Sequence, residues 1–233
     1  PYQFGWHMAR LARGLEALHI PFDTATIQAP AKELVAKNKT QSGFLRIQVT
    51  RGRGSAGYLP TGNSPTLVIE TMPSATPPES TSLWLSSLCK LSPRALPTHA
   101  KLCQGVNAIL ARMEAQRNDC FEALLLNEAG ELCEGSSSNL LWLANGKLHT
   151  PPTSTGALEG STRAALMRLE SITETQAPLE TLLNAEAVMI CNTSWGVLHV
   201  SRLMPHAIDW KDSGTAQALH ERLMEDRAQH SAW

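Results

Sequence analysis

The sequence lacks the features that mark membrane, secreted or metal-binding proteins. It has no apolar run near the roughly 18 residues that a membrane helix needs, and its first four residues are too polar for a signal segment. Its five cysteines are scattered and form no CxxC pair, so we expect reduced thiols in a cytoplasmic protein. Its eight histidines never show HxxxH or HExxH spacing, so no metal site is expected.

The charge balance points to no particular macromolecular partner. With 20 basic and 21 acidic residues the formal net charge is −1, which gives no reason to expect a nucleic acid or an anionic membrane. The length of 233 residues is enough for one large or two small domains, and 42% hydrophobic residues allow a sizeable core. These values predict an ordinary globular protein whose chemistry has to be sought in local motifs.

Hydrophobic periodicity predicts two helices and two strands in the first third of the chain. The predicted elements are helices at 6–19 and 31–38 and strands at 45–50 and 66–71. The first helix repeats apolar residues at three- and four-residue steps, whereas the first strand alternates apolar with polar residues and ends in a glycine-rich turn. The Pro- and Ser-rich segment 72–97 is predicted as a linker with one short strand near Trp84, and it is the candidate domain boundary.

The rest of the chain alternates helical and strand patterns. We predict a helix at 101–114, hairpins of 122–126 with the residues from 131 and of 139–143 with 147–149, a helix from 161 or 162, strands at 187–191 and 197–200, and a helix at 215–226. Asn145-Gly146 is the strongest hairpin signal. The helix at 101–114 is expected to bury the stripe Leu102, Val106, Ile109, Leu110 and Met113, with Lys101 off that stripe on the first turn. The fold class is α+β, with a mixed or antiparallel sheet in each half.

Three positions could carry chemistry, and each has an ordinary structural alternative. Gly160-Ser161-Thr162 opens a helix, where backbone N–H groups and the helix dipole favour a phosphate, but Ser and Thr are also common plain caps. Glu134 is either a functional carboxylate or a solvated loop residue. Lys101 becomes a Schiff-base former only where its surroundings lower the pKa of its amine, which the sequence does not show.

The order of these pieces resembles the class IV aminotransferases, which include branched-chain and D-amino-acid aminotransferases and 4-amino-4-deoxychorismate lyases. The central block of the resemblance comprises Phe121 to Leu126, Gly130, Glu134 to Leu141, Gly146, Thr150-Pro151-Pro152 and Leu158 to Arg163. The flanking matches are His7 to Leu11, Val49 to Gly52 with Gly57-Tyr58, and Ala185 to Asn192. The resemblance therefore covers nearly the whole chain.

The resemblance implies a pyridoxal 5′-phosphate cofactor and assigns residues to it. Lys101 matches the lysine that carries the cofactor as a Schiff base and then moves protons as the catalytic base and acid. Glu134 matches the carboxylate that pairs with the pyridine nitrogen, and Arg10 matches an arginine on the phosphate. Ser161, Thr162 and Thr193 match the rest of the phosphate cradle.

The resemblance also implies a fold and an assembly. The fold is a two-domain α+β class IV aminotransferase-like fold with mixed sheets, divided into a smaller first domain at 1–90 and a larger cofactor domain at 98–233. By the family's layout the first domain lacks its N-terminal strands. The family completes its active site with a neighbouring subunit, so a homodimer is expected, with a small-molecule amino substrate and no nucleic-acid or membrane partner.

For the reaction, the resemblance leaves three alternatives open. The first expectation is 4-amino-4-deoxychorismate lyase, a folate-biosynthesis activity that yields 4-aminobenzoate and pyruvate. An aminotransferase acting on D-amino acids, branched-chain amino acids or amines is the alternative, and a non-catalytic relative of the fold is a further one. Tyr58 and Trp195 are candidate walls for a flat substrate ring. Ala56 stands where several members have a substrate-carboxylate arginine, and Val106 stands where branched-chain enzymes have a tyrosine.

Overall fold

The fold comes from a computed structural model that describes residues 1–62, 64–74, 76–78 and 81–233. The chain divides into two compact units. The smaller unit comprises Pro1–Ala75, Ala100–Cys103 and His230–Trp233, and the larger comprises Thr76–His99 and Gln104–Gln229. The domain limits expected from the sequence, 1–90 and 98–233, stay a prediction.

The smaller unit packs two helices against a two-stranded sheet. Its elements are α1 (Phe4–Ala17), α2 (Gln28–Lys37), β1 (Phe44–Thr50) and β2 (Thr66–Met72). The two strands pair antiparallel from Phe44 opposite Met72 to Thr50 opposite Thr66. Alternate strand residues, among them Ile47 and Ile69, pack against a helix-side core that contains Ile27. The two helices and two strands predicted from periodicity are therefore confirmed.

The larger unit is built on a nine-stranded mixed sheet. Its strands are β3 (Thr81–Leu85), β4 (Glu122–Leu126), β5 (Leu132–Gly135), β6 (Asn139–Ala144), β7 (Lys147–Thr150), β8 (Ile172–Glu174), β9 (Ala187–Asn192), β10 (Gly196–Met204) and β11 (Ile208–Asp209), and its helices are α3 (Val106–Arg117), α4 (Ser161–Leu169) and α5 (Thr215–His230). Pairing runs β10-β3-β4-β5-β6-β9 and returns to β10, so six strands close into a ring. Fully buried residues such as Leu124, Leu140 and Ile190 form the main core of this unit.

Most local signals in this unit are confirmed. Asn145 and Gly146 have φ of 51° and 67°, the left-handed conformation that a two-residue hairpin turn requires, and they join β6 to β7. The strand predicted near Trp84 is β3, which lies between β10 and β4 with parallel pairing on both sides. Positions 75, 79 and 80 of the predicted linker lie outside the described residues.

The helix after Lys101 differs from its prediction in start and in orientation. It begins at Val106, with Gly105 as its N-cap, so Lys101 does not lie on its first turn. The buried residues are Ala111 and Ala115, because small side chains let the helix lie close to the sheet. The stripe predicted to be buried is instead exposed at four positions, namely Val106 (59%), Ile109 (60%), Leu110 (47%) and Met113 (41%).

Candidate active site

Glu134 is a buried carboxylate near the end of β5. Only 5% of the residue is exposed, so it is not a solvated loop group. Its Oε2 accepts hydrogen bonds from the Leu158 backbone N–H at 2.9 Å and from Asn139 Nδ2 at 3.1 Å. Its Oε1 accepts an ion-paired hydrogen bond from Lys90 Nζ. Three donors therefore fix the position and orientation of this carboxylate.

The turn that joins β5 to β6 is organised by a second buried carboxylate, that of Glu122. Glu122 is fully buried, and it accepts hydrogen bonds from the hydroxyls of Ser136 and Ser137 and from the Ala123 N–H at 2.8 Å. Arg112 Nη1 lies 3.2 Å from its Oε1 and supplies the counter-charge. Because Glu134 and Asn139 lie on either side of these serines, Glu122 holds the turn on which the carboxylate site is built.

We expect Glu122→Gln to lower the free energy of unfolding by about 2 kcal/mol, because the amide offers one acceptor oxygen to donors arranged for two. Urea denaturation of the variant measures this loss. Glu128→Gln, at an exposed position in the neighbouring turn, is the matched control and should change stability by less than about 0.5 kcal/mol. Equal stabilities for the two variants would contradict a structural role for Glu122.

The N-terminus of α4 lies next to the Glu134 carboxylate. Gly160 is the N-cap and provides no side-chain cap, so the first N–H groups of the helix have no capping oxygen from it. A Cβ at Gly160 would lie 2.0 Å from Asn139 Oδ1, so a larger residue here would displace the Asn139 amide. Asn139 Nδ2 also donates to the Leu158 carbonyl at 2.9 Å, which ties the approach to α4 to the Glu134 site.

Three hydroxyl-bearing side chains surround that helix end. Ser161 Oγ and Thr193 Oγ1 are hydrogen-bonded at 2.8 Å. Thr162 is 2% exposed, and its Oγ1 is buried without a hydrogen-bond partner. A buried hydroxyl without a partner is rare in native proteins, so Thr162 Oγ1 is available to hydrogen-bond a bound group. Together with the open N–H groups and the helix dipole, these hydroxyls can bind a phosphate.

The loop between β9 and β10 brings Thr193 and Trp195 to the same region. Asn192 Oδ1 accepts from the N–H groups of Ser194 at 2.9 Å and Trp195 at 3.1 Å, which shapes the loop as a tight turn. Asn192 Nδ2 donates to the Ser137 carbonyl at 3.1 Å. The Trp195 ring packs on Phe121 with centroids 5.1 Å apart, and its Nε1 is buried without a partner.

The remaining predicted site residues lie in the smaller unit. Arg10 is on α1, is 8% exposed and has its guanidinium 4.7 Å from the centre of the Trp6 ring. Lys101 is an exposed residue in the segment Ala100–Cys103, and Tyr58 is fully exposed in the loop between β1 and β2. The roles of these three residues stay predictions.

Sequence reasoning missed three residues that hold the Glu134 site. Asn139 and Glu122 lie inside the matched motif. The motif does not show that Asn139 donates to Glu134 or that Glu122 binds the serines of the β5–β6 turn. Lys90 lies in the segment interpreted as a linker, 44 residues before Glu134, so no local spacing connects the two. Within the described part of the chain, no cluster of His, Cys, Asp and Glu side chains could hold a metal ion, and no helix is both long and apolar enough to cross a membrane.

Comparison with known proteins identifies the family to which this chain belongs. The amino-transferase class IV family matches residues 1–203. D-alanine aminotransferase of Bacillus licheniformis is 28% identical over 205 residues, covering 84% of this chain and 72% of that protein. The chain belongs to the class IV aminotransferase family, and it is a pyridoxal-phosphate-dependent enzyme.

Solved structures of the family share the fold. A branched-chain amino acid aminotransferase solved in complex with N-(5′-phosphopyridoxyl)-L-glutamate superposes with a TM-score of 0.87 at 27% identity, covering 96% of this chain and 78% of that one. A candidate 4-amino-4-deoxychorismate lyase from Legionella pneumophila gives a TM-score of 0.89 at 23% identity, covering 97% and 86%. These likenesses confirm the predicted α+β class IV fold.

The residues of the larger unit fit the cofactor. The partnerless Thr162 hydroxyl and the uncapped start of α4 suit its phosphate, whereas the Glu134 carboxylate suits a protonated ring nitrogen. Burial raises the pKa of the neighbouring Cys133 thiol to about 12, and the Glu134 charge adds to this shift. The thiol therefore stays neutral near pH 7 and adds no second charge beside Glu134.

Proposed function

We propose that this enzyme is a 4-amino-4-deoxychorismate lyase that forms 4-aminobenzoate and pyruvate. The observation that carries the proposal is the β9–β10 segment, in which Met189 to Asn192, Gly196-Val197 and Val200 resemble the lyase run rather than the Gly-Thr-Ala-Ala loop of branched-chain enzymes. Val106, where those enzymes carry a tyrosine, offers no hydroxyl to a cofactor or substrate. This reaction needs no second substrate, because the two products together contain all the atoms of the starting compound.

The proposed site divides the work among this chain's residues. Arg10, Ser161, Thr162 and Thr193 bind the phosphate, and Glu134 holds the proton on the ring nitrogen. When bound, the cofactor supplies an electron sink for the substrate carbon that bears the amine. Lys101 Nζ is the proposed base that removes the proton from that carbon, and it then protonates the departing enolate.

The proposed substrate contacts are two aromatic side chains and a cation. Trp195 is the proposed wall for the flat substrate ring, because its loop follows Thr193 and its Nε1 is a buried donor without a partner. Tyr58 is the second proposed wall. With Ala56 in place of the expected arginine, we propose that Arg53 or a residue of a second subunit binds the substrate carboxylate.

A class IV aminotransferase is the second candidate function. The observation that favours it is the 28% identity to D-alanine aminotransferase, which extends over 84% of this chain. Such an enzyme needs a keto acid to regenerate its cofactor, whereas the lyase does not. The requirement for an added keto acid therefore separates the two candidates.

For the lyase we expect 4-aminobenzoate to appear from aminodeoxychorismate without any added keto acid, at a rate that rises in proportion to enzyme. Fluorescence of the released 4-aminobenzoate measures the reaction. The same preparation is tested with D-alanine, L-leucine and 2-oxoglutarate. Absence of 4-aminobenzoate, together with amino transfer from D-alanine or L-leucine to 2-oxoglutarate, would identify an aminotransferase instead.

We also propose that the protein is a homodimer that buries the exposed face of α3. Val106, Ile109, Leu110 and Met113 recur at i, i+3, i+4 and i+7, the spacing of a helix face that contacts another surface. These four side chains carry no charge, so a two-fold axis can bring them against their own copies without like-charge repulsion among them. The family expectation of a shared active site supports a second copy as the occupant.

Ile109→Glu should shift the protein from dimer to monomer at micromolar concentration, because it places a carboxylate in the apolar contact. Light scattering at several protein concentrations measures the mass. Leu183→Glu is the matched control, since Leu183 is an isolated residue of similar exposure, 53% against 60%. A wild-type protein that is monomeric with cofactor bound, or equal masses for both variants, would contradict this assignment.

We further propose a cytoplasmic location. The support is chemical: the five cysteines, Cys89, Cys103, Cys120, Cys133 and Cys191, are all free thiols in the structure.

A further inference from the structure

Lys90 is the nearest cation to the carboxylate proposed for the cofactor nitrogen. Its Nζ forms an ion pair with Glu134 Oε1, and the side chains of Lys90 and Glu134 are 19% and 7% exposed. The Lys90 backbone N–H donates to the Leu126 carbonyl at 2.7 Å, which fixes the residue beside the end of β4. A Cβ at Gly156 would lie 3.3 Å from Lys90 Cγ, so the stem of the lysine is packed as well.

The position of Lys90 separates it from the lysine that carries the cofactor. The aldehyde of pyridoxal phosphate and the ring nitrogen lie at opposite ends of the pyridine ring. An amine that hydrogen-bonds to the carboxylate on the nitrogen is therefore at the wrong end of the ring to react with the aldehyde. Lys90 acts on Glu134, and the covalent role remains with Lys101.

An ionised carboxylate offers about four acceptor sites, two on each oxygen. In Glu134 both sites of Oε2 are filled by Asn139 and the Leu158 N–H, and one site of Oε1 is filled by Lys90. The remaining site is on Oε1, next to the lysine ammonium. A protonated ring nitrogen that binds there shares one oxygen with a second cation.

We propose that Lys90 is a positioning residue that limits how strongly Glu134 holds the protonated ring nitrogen of the cofactor. This rests on the proposed cofactor role of Glu134. The ammonium keeps Oε1 in place, and its positive charge offsets part of the carboxylate's attraction for the ring N–H. Without Lys90 the buried carboxylate has neutral donors only, so the ring N–H becomes its one cationic partner.

The test compares two cofactors in one protein. The probes are pyridoxal 5′-phosphate and 1-deazapyridoxal 5′-phosphate, in which a C–H replaces the ring nitrogen while the aldehyde and phosphate are kept. Apo-protein is titrated with each probe, and the ratio of the two dissociation constants reports the contribution of the ring nitrogen alone. Changes in folding or in the phosphate cradle affect both probes equally and leave the ratio unchanged.

We expect Lys90→Met to raise the preference for pyridoxal phosphate over the deaza probe by about 10-fold, the scale of one charge-assisted hydrogen bond. Lys90→Arg should restore the wild-type ratio, and Glu134→Gln should lower it below wild type. Lys90→Gln replaces Lys90→Met in this titration if the methionine variant is insoluble. An unchanged or lowered ratio in the neutral variants would overturn the role of Lys90, whereas a wild-type protein that binds neither probe would instead overturn the proposed cofactor site.

Discussion

Replacing Lys101 with alanine should lower turnover by on the order of 10³-fold or more and remove the absorbance band of the protein-linked cofactor. The reason is chemical rather than structural. The reaction needs a primary amine that binds the aldehyde, leaves when substrate arrives and then moves protons at the substrate carbon. Alanine supplies none of these functions. Absorbance spectra of the reconstituted variant and a turnover assay measure both losses.

Two control variants make this result specific. Lys147→Ala removes an exposed lysine in the β6–β7 hairpin and should leave spectrum and turnover unchanged. Lys90→Ala should keep the band of the linked cofactor, since Lys90 contacts Glu134 and is not the proposed linking amine. Retention of the linked cofactor in Lys101→Ala, with its loss in Lys90→Ala, would assign the covalent role to Lys90.

Glu134→Gln has the second largest expected effect, a fall in turnover of about 10²-fold or more with the cofactor still bound. The amide keeps the shape of the side chain and can accept from the Leu158 N–H, but it lacks the negative charge that we propose holds the proton on the ring nitrogen. Binding should persist because the phosphate contacts proposed at the start of α4 are separate from this change. Turnover and cofactor content are measured on the same preparation.

The control for this variant is Glu131→Gln, three residues earlier in the same hairpin. Glu131 is hydrogen-bonded to the side-chain amides of Asn127 and Gln176, which lowers the pKa of its carboxyl, and it has no proposed contact with cofactor. The Glu131→Gln variant should therefore have normal turnover. Near-normal turnover in Glu134→Gln would show that its carboxylate serves only to hold the turn.

Local sequence signals predict the parts of the fold that depend on neighbours in the chain. The alternation of Leu45, Ile47 and Val49 predicts β1, and Asn145-Gly146 predicts the β6–β7 turn, because both patterns record backbone geometry directly. The glycine that opens α4 is also local. These signals indicate where strands, turns and helix starts lie, and the structure confirms them.

Structural features that depend on residues far apart in the chain are not predicted by local sequence patterns. The apolar spacing of α3 is the same whether the helix face meets a core or another surface, so periodicity alone assigned the wrong face to the sheet. The ion pair of Lys90 with Glu134 spans 44 residues and leaves no local pattern. Glu122 likewise binds serines 14 and 15 residues away, through a hairpin whose shape is known only from the fold.

The most direct test of the cofactor assignment is borohydride reduction of the wild-type holoenzyme, followed by digestion and mass spectrometry of the peptides. Reduction fixes the cofactor on the lysine that carries it, and the added mass identifies that residue. We predict a single pyridoxyl-lysine, at Lys101. Label at Lys90 or at any other lysine, or no label on a protein that contains cofactor, would contradict the assignment of Lys101 as the lysine that carries the cofactor.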